Sequence, residues 1–260
     1  MKPMHLEVMH GMRHLASQMR NLDGNFQATA MMAIDTCTAC RRSMSRLLKV
    51  PANHLHCSLK LMEADGEEGR VATLGRSKPF DERPSKLGDD DGDLVTSSTT
   101  FASLLGMSDG VTLWSRDFTC FCCNDLKKQG TRFRCGRENW SNYYQSVLVL
   151  PLRYPRTCDG QDMGYIGFLM FDSPKVGTFA GLPEIFDYQN RAAEYLEELH
   201  SSPVFNLGAI FADTLATFLS SFYEVKHPHQ KANEWQVKTL HQRSSEAERT
   251  KQPKRPPNGK

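Results

Sequence analysis

Gln145-Ser-Val-Leu-Val-Leu-Pro-Leu-Arg-Tyr-Pro155 and Met163-Gly-Tyr-Ile-Gly-Phe-Leu-Met-Phe-Asp-Ser173 decide how the chain is read. Val147 to Leu152 is apolar at nearly every position and too short for a lone helix. The second run is rich in β-formers and stops at Asp172-Ser173-Pro174. Both read as central strands. A strand with one face in water alternates apolar and polar residues; these two hardly alternate, so both faces of their sheet are expected to be covered. Asp159-Gly160, in the polar loop between them, is a turn signal that makes the pair an antiparallel hairpin.

Around this hairpin lie 260 residues, enough for one large domain with appendages. With 39% hydrophobic and 9% aromatic residues the composition suits a soluble globule. No apolar run approaches the roughly 20 residues of a membrane helix. The opening MKPMHLEVMHGMRH lacks the apolar core of a secretion signal, so a cytoplasmic location without a membrane partner is expected. In that compartment the eight cysteines read as reduced thiols. Net charge is +2, but from Lys226 onward nine Lys/Arg stand against three Glu, so the tail alone is basic. Such a flexible end attracts polyanions weakly, and nucleic acid is not expected as a partner.

Upstream of the hairpin, His5 to Leu48 is helical in character, with an apolar seam at Val8, Met12, Leu15, Met19, Leu22 and Phe26 that suits either a dimer stalk or packing on the chain's own core. Cys37 and Cys40 fall mid-helix as a CxxC without a second pair, which reads as two packed thiols. His10 and His14 lie one turn apart without the glutamate of a zinc motif. Pro51 ends this region. His54 to Met62 then alternates, with Leu55, Cys57, Leu59 and Leu61 on one face, and Arg70 to Gly75 makes its return strand. Asp89-Asp-Asp-Gly-Asp93 reads as a solvated acidic turn, since no glutamate closes it at calcium-loop spacing. Thr99 to Leu105 reads as a short helix and Val111 to Phe118 as a strand. Downstream, Leu182 to Leu199 and Val204 to Tyr223 read as amphipathic helices separated by Ser201-Ser202-Pro203. The expected organisation is a helical segment over 1–50, a body over 51–200, a helix over 201–225 and a disordered basic tail over 226–260.

The order of elements resembles a GAF domain, a relative of PAS sensors. The residues carrying the resemblance are Tyr144-Gln-Ser-Val-Leu-Val-Leu-Pro-Leu-Arg153 and Gly164-Tyr-Ile-Gly-Phe-Leu-Met-Phe-Asp-Ser173, within a match from about Leu55 to Leu199. The resemblance implies an α+β fold: a central antiparallel sheet with the N- and C-terminal helices packed on one face and a small-molecule pocket under loops on the other. The cysteine context of bilin-binding GAF domains and the NKFDE cluster of cyclic-nucleotide-binding ones are absent. No cofactor is therefore named, and the ligand stays unknown.

Two classes of function follow. The first is a sensory or regulatory module, a homodimer through its terminal helices, whose output comes from a partner protein. Trp114, Trp140, Tyr143 and Tyr144 would wall its pocket, and Arg116, Asn124, Asp125 and Ser146 would orient a ligand. Each also has an ordinary structural role: the aromatics as core, Asn124-Asp125 as a helix cap, Ser146 as a strand-edge hydroxyl. The second class is a thiol enzyme. Cys120, Cys122, Cys123 and Cys135 fall within sixteen residues, in the region where GAF-like free-methionine sulfoxide reductases carry cysteines. Arg132, Arg134 and Arg137 could favour a thiolate there. Structural packing of the four thiols, or a zinc site outside the usual ligand spacings, are the remaining readings.

Overall fold

The computed structural model describes residues 26–63, 69–78, 93–105, 120–136, 139–153, 165–186 and 192–226. Six strands form one sheet: β1 (His56–Glu63), β2 (Arg70–Arg76), β3 (Asp93–Leu94), β4 (Phe121–Cys123), β5 (Ser146–Arg153) and β6 (Tyr165–Ser173). Their order is β3-β2-β1-β6-β5-β4, and every pairing is antiparallel. The hairpin read from sequence is there: β5 and β6 pair from Ser146–Ser173 to Arg153–Tyr165 and stand at the centre, flanked by β1 and β4.

Register divides the sheet into two faces. Cys57, Leu59, Cys122, Leu148, Leu150, Leu169 and Phe171 share one; Ser58, Lys60, Phe121, Cys123, Val147, Val149, Phe168, Met170 and Asp172 share the other. All are buried, which accounts for the missing alternation. Helices α1 (Phe26–Leu48) and α4 (Pro203–Lys226) cover the first face: α1 lies on β1 and β2, α4 on β5 and β6, and the two pack against each other. Their closeness depends on small residues. A Cβ at Gly75 would sit 2.7 Å from Ala33 Cβ and 2.8 Å from α1 backbone, and one at Gly208 would sit 3.1 Å from the Leu150 methyls. On the opposite face, α2 (Thr99–Leu104) brings Phe101 to within 4.8 Å of the Phe168 ring centroid. Phe186 meets Phe121 edge-on at 5.8 Å.

Helix α3 (Ala192–Ser201) packs on α4. Pro203 opens α4, as its fixed φ suits a first helical position, and the Ser202 carbonyl accepts the first helical bond, from Asn206 N at 3.0 Å.

Several expectations change. The helix expected from Leu182 to Leu199 starts only at Ala192 among the described residues. Residues 174–186 are a turn-rich loop, because Gly177 and Gly181 take positive φ and Pro183 interrupts helical bonding, while Phe179, Leu182, Ile185 and Phe186 are buried as a plug. The segment after Phe118, read as irregular, contains strand β4, and Asp93, read as part of a polar loop, pairs with Val71. The seam from Val8 to Leu22, His10 and His14, Asp89 to Gly92, the whole of Val111 to Phe118 and the 227–260 tail lie outside the described residues.

Candidate functional site

The sheet face away from α1 and α4 is closed by α2, the segments 124–136 and 139–144 and the loop 174–186. Side-chain bonds hold the loop to the strand ends. Asn124 Nδ2 donates to Phe179 O at 3.3 Å, Asn124 Oδ1 accepts from Phe179 N at 2.9 Å, and Asn124 O accepts from Gly177 N at 2.9 Å. Asn124 N donates to Glu184 Oε1 at 3.1 Å. Ser146 Oγ, fully buried, donates to Lys175 O at 2.8 Å, and Ser173 Oγ lies 2.7 Å from Thr178 Oγ1. Arg132 binds from the outside, with Nη2 on Phe186 O at 3.3 Å and its guanidinium over the Phe186 ring at 4.8 Å.

These bonds define what the predicted residues do. Asn124 and Ser146 are pins for the loop, and Asp125 Oδ1 accepts from Lys128 N at 3.1 Å, capping the turn Lys127–Arg132. Trp140 and Tyr144 do come together. Trp140 meets Phe133 edge-on at 4.9 Å and Tyr144 at 5.8 Å, with partly buried Tyr143 beside them in the chain. Tyr144 Oη and Cys135 Sγ share a hydrogen bond of 2.8 Å. Trp114, Arg116 and Arg137 lie outside the described residues.

The four cysteines are dispersed rather than converging. Strand pleating sends Cys122 toward the helices and Cys123 to the opposite face. Burial pushes the Cys120 and Cys122 thiols well above their ordinary range. Burial, followed by the charge of Glu184, pushes Cys123 up to about 12. Cys123 Sγ lies 3.8 Å from Glu184 Oε2. Only Cys135 among the described thiols is partly exposed. Under α1, Cys37 Sγ donates to Gly75 O at 3.7 Å, and burial raises the Cys40 and Cys57 thiols as well. Among the described residues no group of three His, Cys, Asp or Glu side chains is placed to hold a metal.

Sequence reasoning passed over Glu184, Phe186 and Thr178, which hold the loop, and Lys60 and Asp172, which are buried on this face. Lys60 Nζ donates to Thr73 Oγ1 at 3.0 Å and sits 5.8 Å from the Phe101 ring centroid. The available signal was strand parity: Lys60 interrupts a buried strand, and Asp172 ends one.

Sheet, helix layer and loop-built cover give an α+β architecture, an antiparallel sheet with the long helices on one face and loops on the other. One solved structure that the chain is similar to is the crystal structure of the GAF domain from Acinetobacter phosphoenolpyruvate-protein phosphotransferase, at 14% identity and a TM-score of 0.37, covering 85% of this chain and 98% of that one. At that score the likeness adds nothing to the chain's own geometry. No family model matches, and no curated protein does. No helix among the described residues is long and apolar enough to cross a membrane.

Proposed function

We propose that the chain is a cytoplasmic GAF-like sensory or regulatory module that binds a small molecule or mediates protein–protein signalling, with no catalytic step of its own. The observation that carries this reading is the cover on the face opposite the helices, where the rings of Phe133, Trp140 and Tyr144 meet one another, edge-on and tilted. Aromatic walls with few polar groups are the usual make-up of a small-molecule site. Buried, neutral thiols at Cys120, Cys122 and Cys123 count against cysteine catalysis, because the thiolate is the nucleophile. The alternative, a redox enzyme resembling GAF-type methionine sulfoxide reductases, draws its support from Cys135, partly exposed and bonded to Tyr144.

Ligand-observed NMR against a fragment library tests the proposal. Saturable binding that weakens at least about tenfold in Trp140→Ala, with the bound compound recovered unchanged, is the expected result. Binding indifferent to that substitution, or conversion of the compound, would contradict it. Output then comes from a partner protein, and self-association runs through the terminal helices, where Met31 of α1 and Ile210 of α4 are 51% and 56% exposed. Light scattering should give a dimer mass at micromolar concentration, reduced to the monomer mass by Ile210→Glu. A monomer mass for the unaltered chain removes the dimer.

A further inference from the structure

Arg41, on α1, is 4% exposed. Its Nε and Nη1 are both buried without a hydrogen-bond partner. Burial, and then the neighbouring charge of Arg42, hold the guanidinium below its usual range. That range is so high that the group remains a cation in a protein. It therefore carries a full positive charge into a buried position on α1, where an uncompensated ion is strongly disfavoured.

The neighbours do not cancel this charge. Cys57 of β1 is close enough to feel it, but burial keeps that thiol neutral. The acid on the exposed side of α1, Asp35, pairs with Lys78 at 3.6 Å. Among the described residues no ion pair involves Arg41. Other polar groups of the helix have partners: Thr38 Oγ1 donates to Ile34 O and accepts from Lys78 N, and Ser45 Oγ donates to Val50 O. The turn Ala52–His54 follows α1 and packs against it, and His54 Nδ1 is likewise buried with no hydrogen-bond partner. Two elements packed on each other thus present three nitrogen atoms that lack an oxygen.

We propose that Arg41 anchors a buried oxyanion site on the helix-covered side of the sheet, taking a small carboxylate or phosphate, with His54 Nδ1 as a second donor. Guanidinium suits this task because its donors are fixed in a plane and it is weakly hydrated, so it gives up water readily for an anionic oxygen. The site lies across the sheet from the aromatic cover proposed as the signalling pocket and does not depend on that reading. The counter-charge has two possible sources, a free anion or a carboxylate of the chain itself, and the test separates them.

Thermal melts of the full chain in sodium phosphate, sodium acetate and sodium chloride at equal ionic strength provide the test, beside Arg41→Met and Arg41→Lys. With a free-anion site, the unaltered chain gains stability saturably in phosphate or acetate over chloride, by roughly 5–10 °C at a hundredfold excess over Kd. Arg41→Met then melts at least as high as the unaltered chain in chloride and ignores the anion. His54→Gln weakens the response. Equal melting of the unaltered chain in all three salts overturns the proposal. So does a fall in Arg41→Met of the same size in every buffer, the signature of an internal carboxylate partner. Should Arg41→Met fail to fold, the Arg41 Nε–H resonance, identified by its loss in Arg41→Lys, must move saturably with inorganic phosphate. A resonance that stays still overturns the site.

Discussion

Gly75 and Gly167 are the residues at which the fold leaves least room. A Cβ at Gly167 would run into the Lys60 carbonyl oxygen on the neighbouring strand, and one at Gly75 into α1. Gly75→Ala is expected to lower the urea midpoint, costing about 1–3 kcal/mol as α1 is lifted from the sheet. An unchanged midpoint would mean that the helix does not lie so close. The thiols make a second, pH-dependent prediction. Burial, followed by Glu184, places Cys123 at about 12 in the folded chain, against about 8.5 when unfolded. Folded, the thiol keeps its proton while the unfolded chain loses it, so its contribution is fully present below about pH 8.5 and is lost as pH rises from there toward 12. Stability measured between about pH 8 and 10 should therefore fall, and fall less in Cys123→Ala. A flat profile would contradict the burial of this side chain. Parity in a strand explains why the cysteines looked like one constellation in the sequence and are not one in space: spacing along a chain does not reveal a strand three residues long, and without β4 the alternation of Cys122 and Cys123 is invisible.

Among the elements, those with strong periodicity or continuous apolar runs were legible. The strands β1, β2, β5 and β6 and the helices α2 and α4 lie where their patterns placed them, give or take two or three residues at the ends. The loop 174–186 was not. Its apolar residues at Leu182, Ile185 and Phe186 mimic a helical stripe, and only Gly177, Gly181 and Pro183 argue against it. What fixes the loop is tertiary: Asn124 and Ser146 reach it from strand ends about thirty to fifty-five residues away in sequence. Such bonds leave no local trace, which is why both residues looked as suited to a ligand as to a pin. Asn124→Ala removes two side-chain bonds to Phe179 and should cost about 1–3 kcal/mol. It should also raise hydrogen exchange at Gly177 and Phe179. Exchange left unchanged would show that the loop is held by its apolar plug alone.

At the scale of the whole molecule, the described chain divides between a helix-covered face and a loop-built face of one sheet. Fold class was readable because a hairpin buried on both sides demands two covering layers. Function was less readable, since the residues that close the second face hold structure and ligand sites with the same chemistry. The central claim is that the cysteines of β4 are core rather than catalytic. Mass-mapped alkylation of the native protein near neutral pH, run beside an assay for methionine sulfoxide reduction, tests it most directly. Cys120, Cys122 and Cys123 are expected to stay unlabelled until the protein is unfolded, Cys135 to be the first of the described thiols to react, and no sulfoxide to be consumed. Labelling of two β4 thiols within minutes, with turnover that disappears when they are changed to Ser, would contradict it.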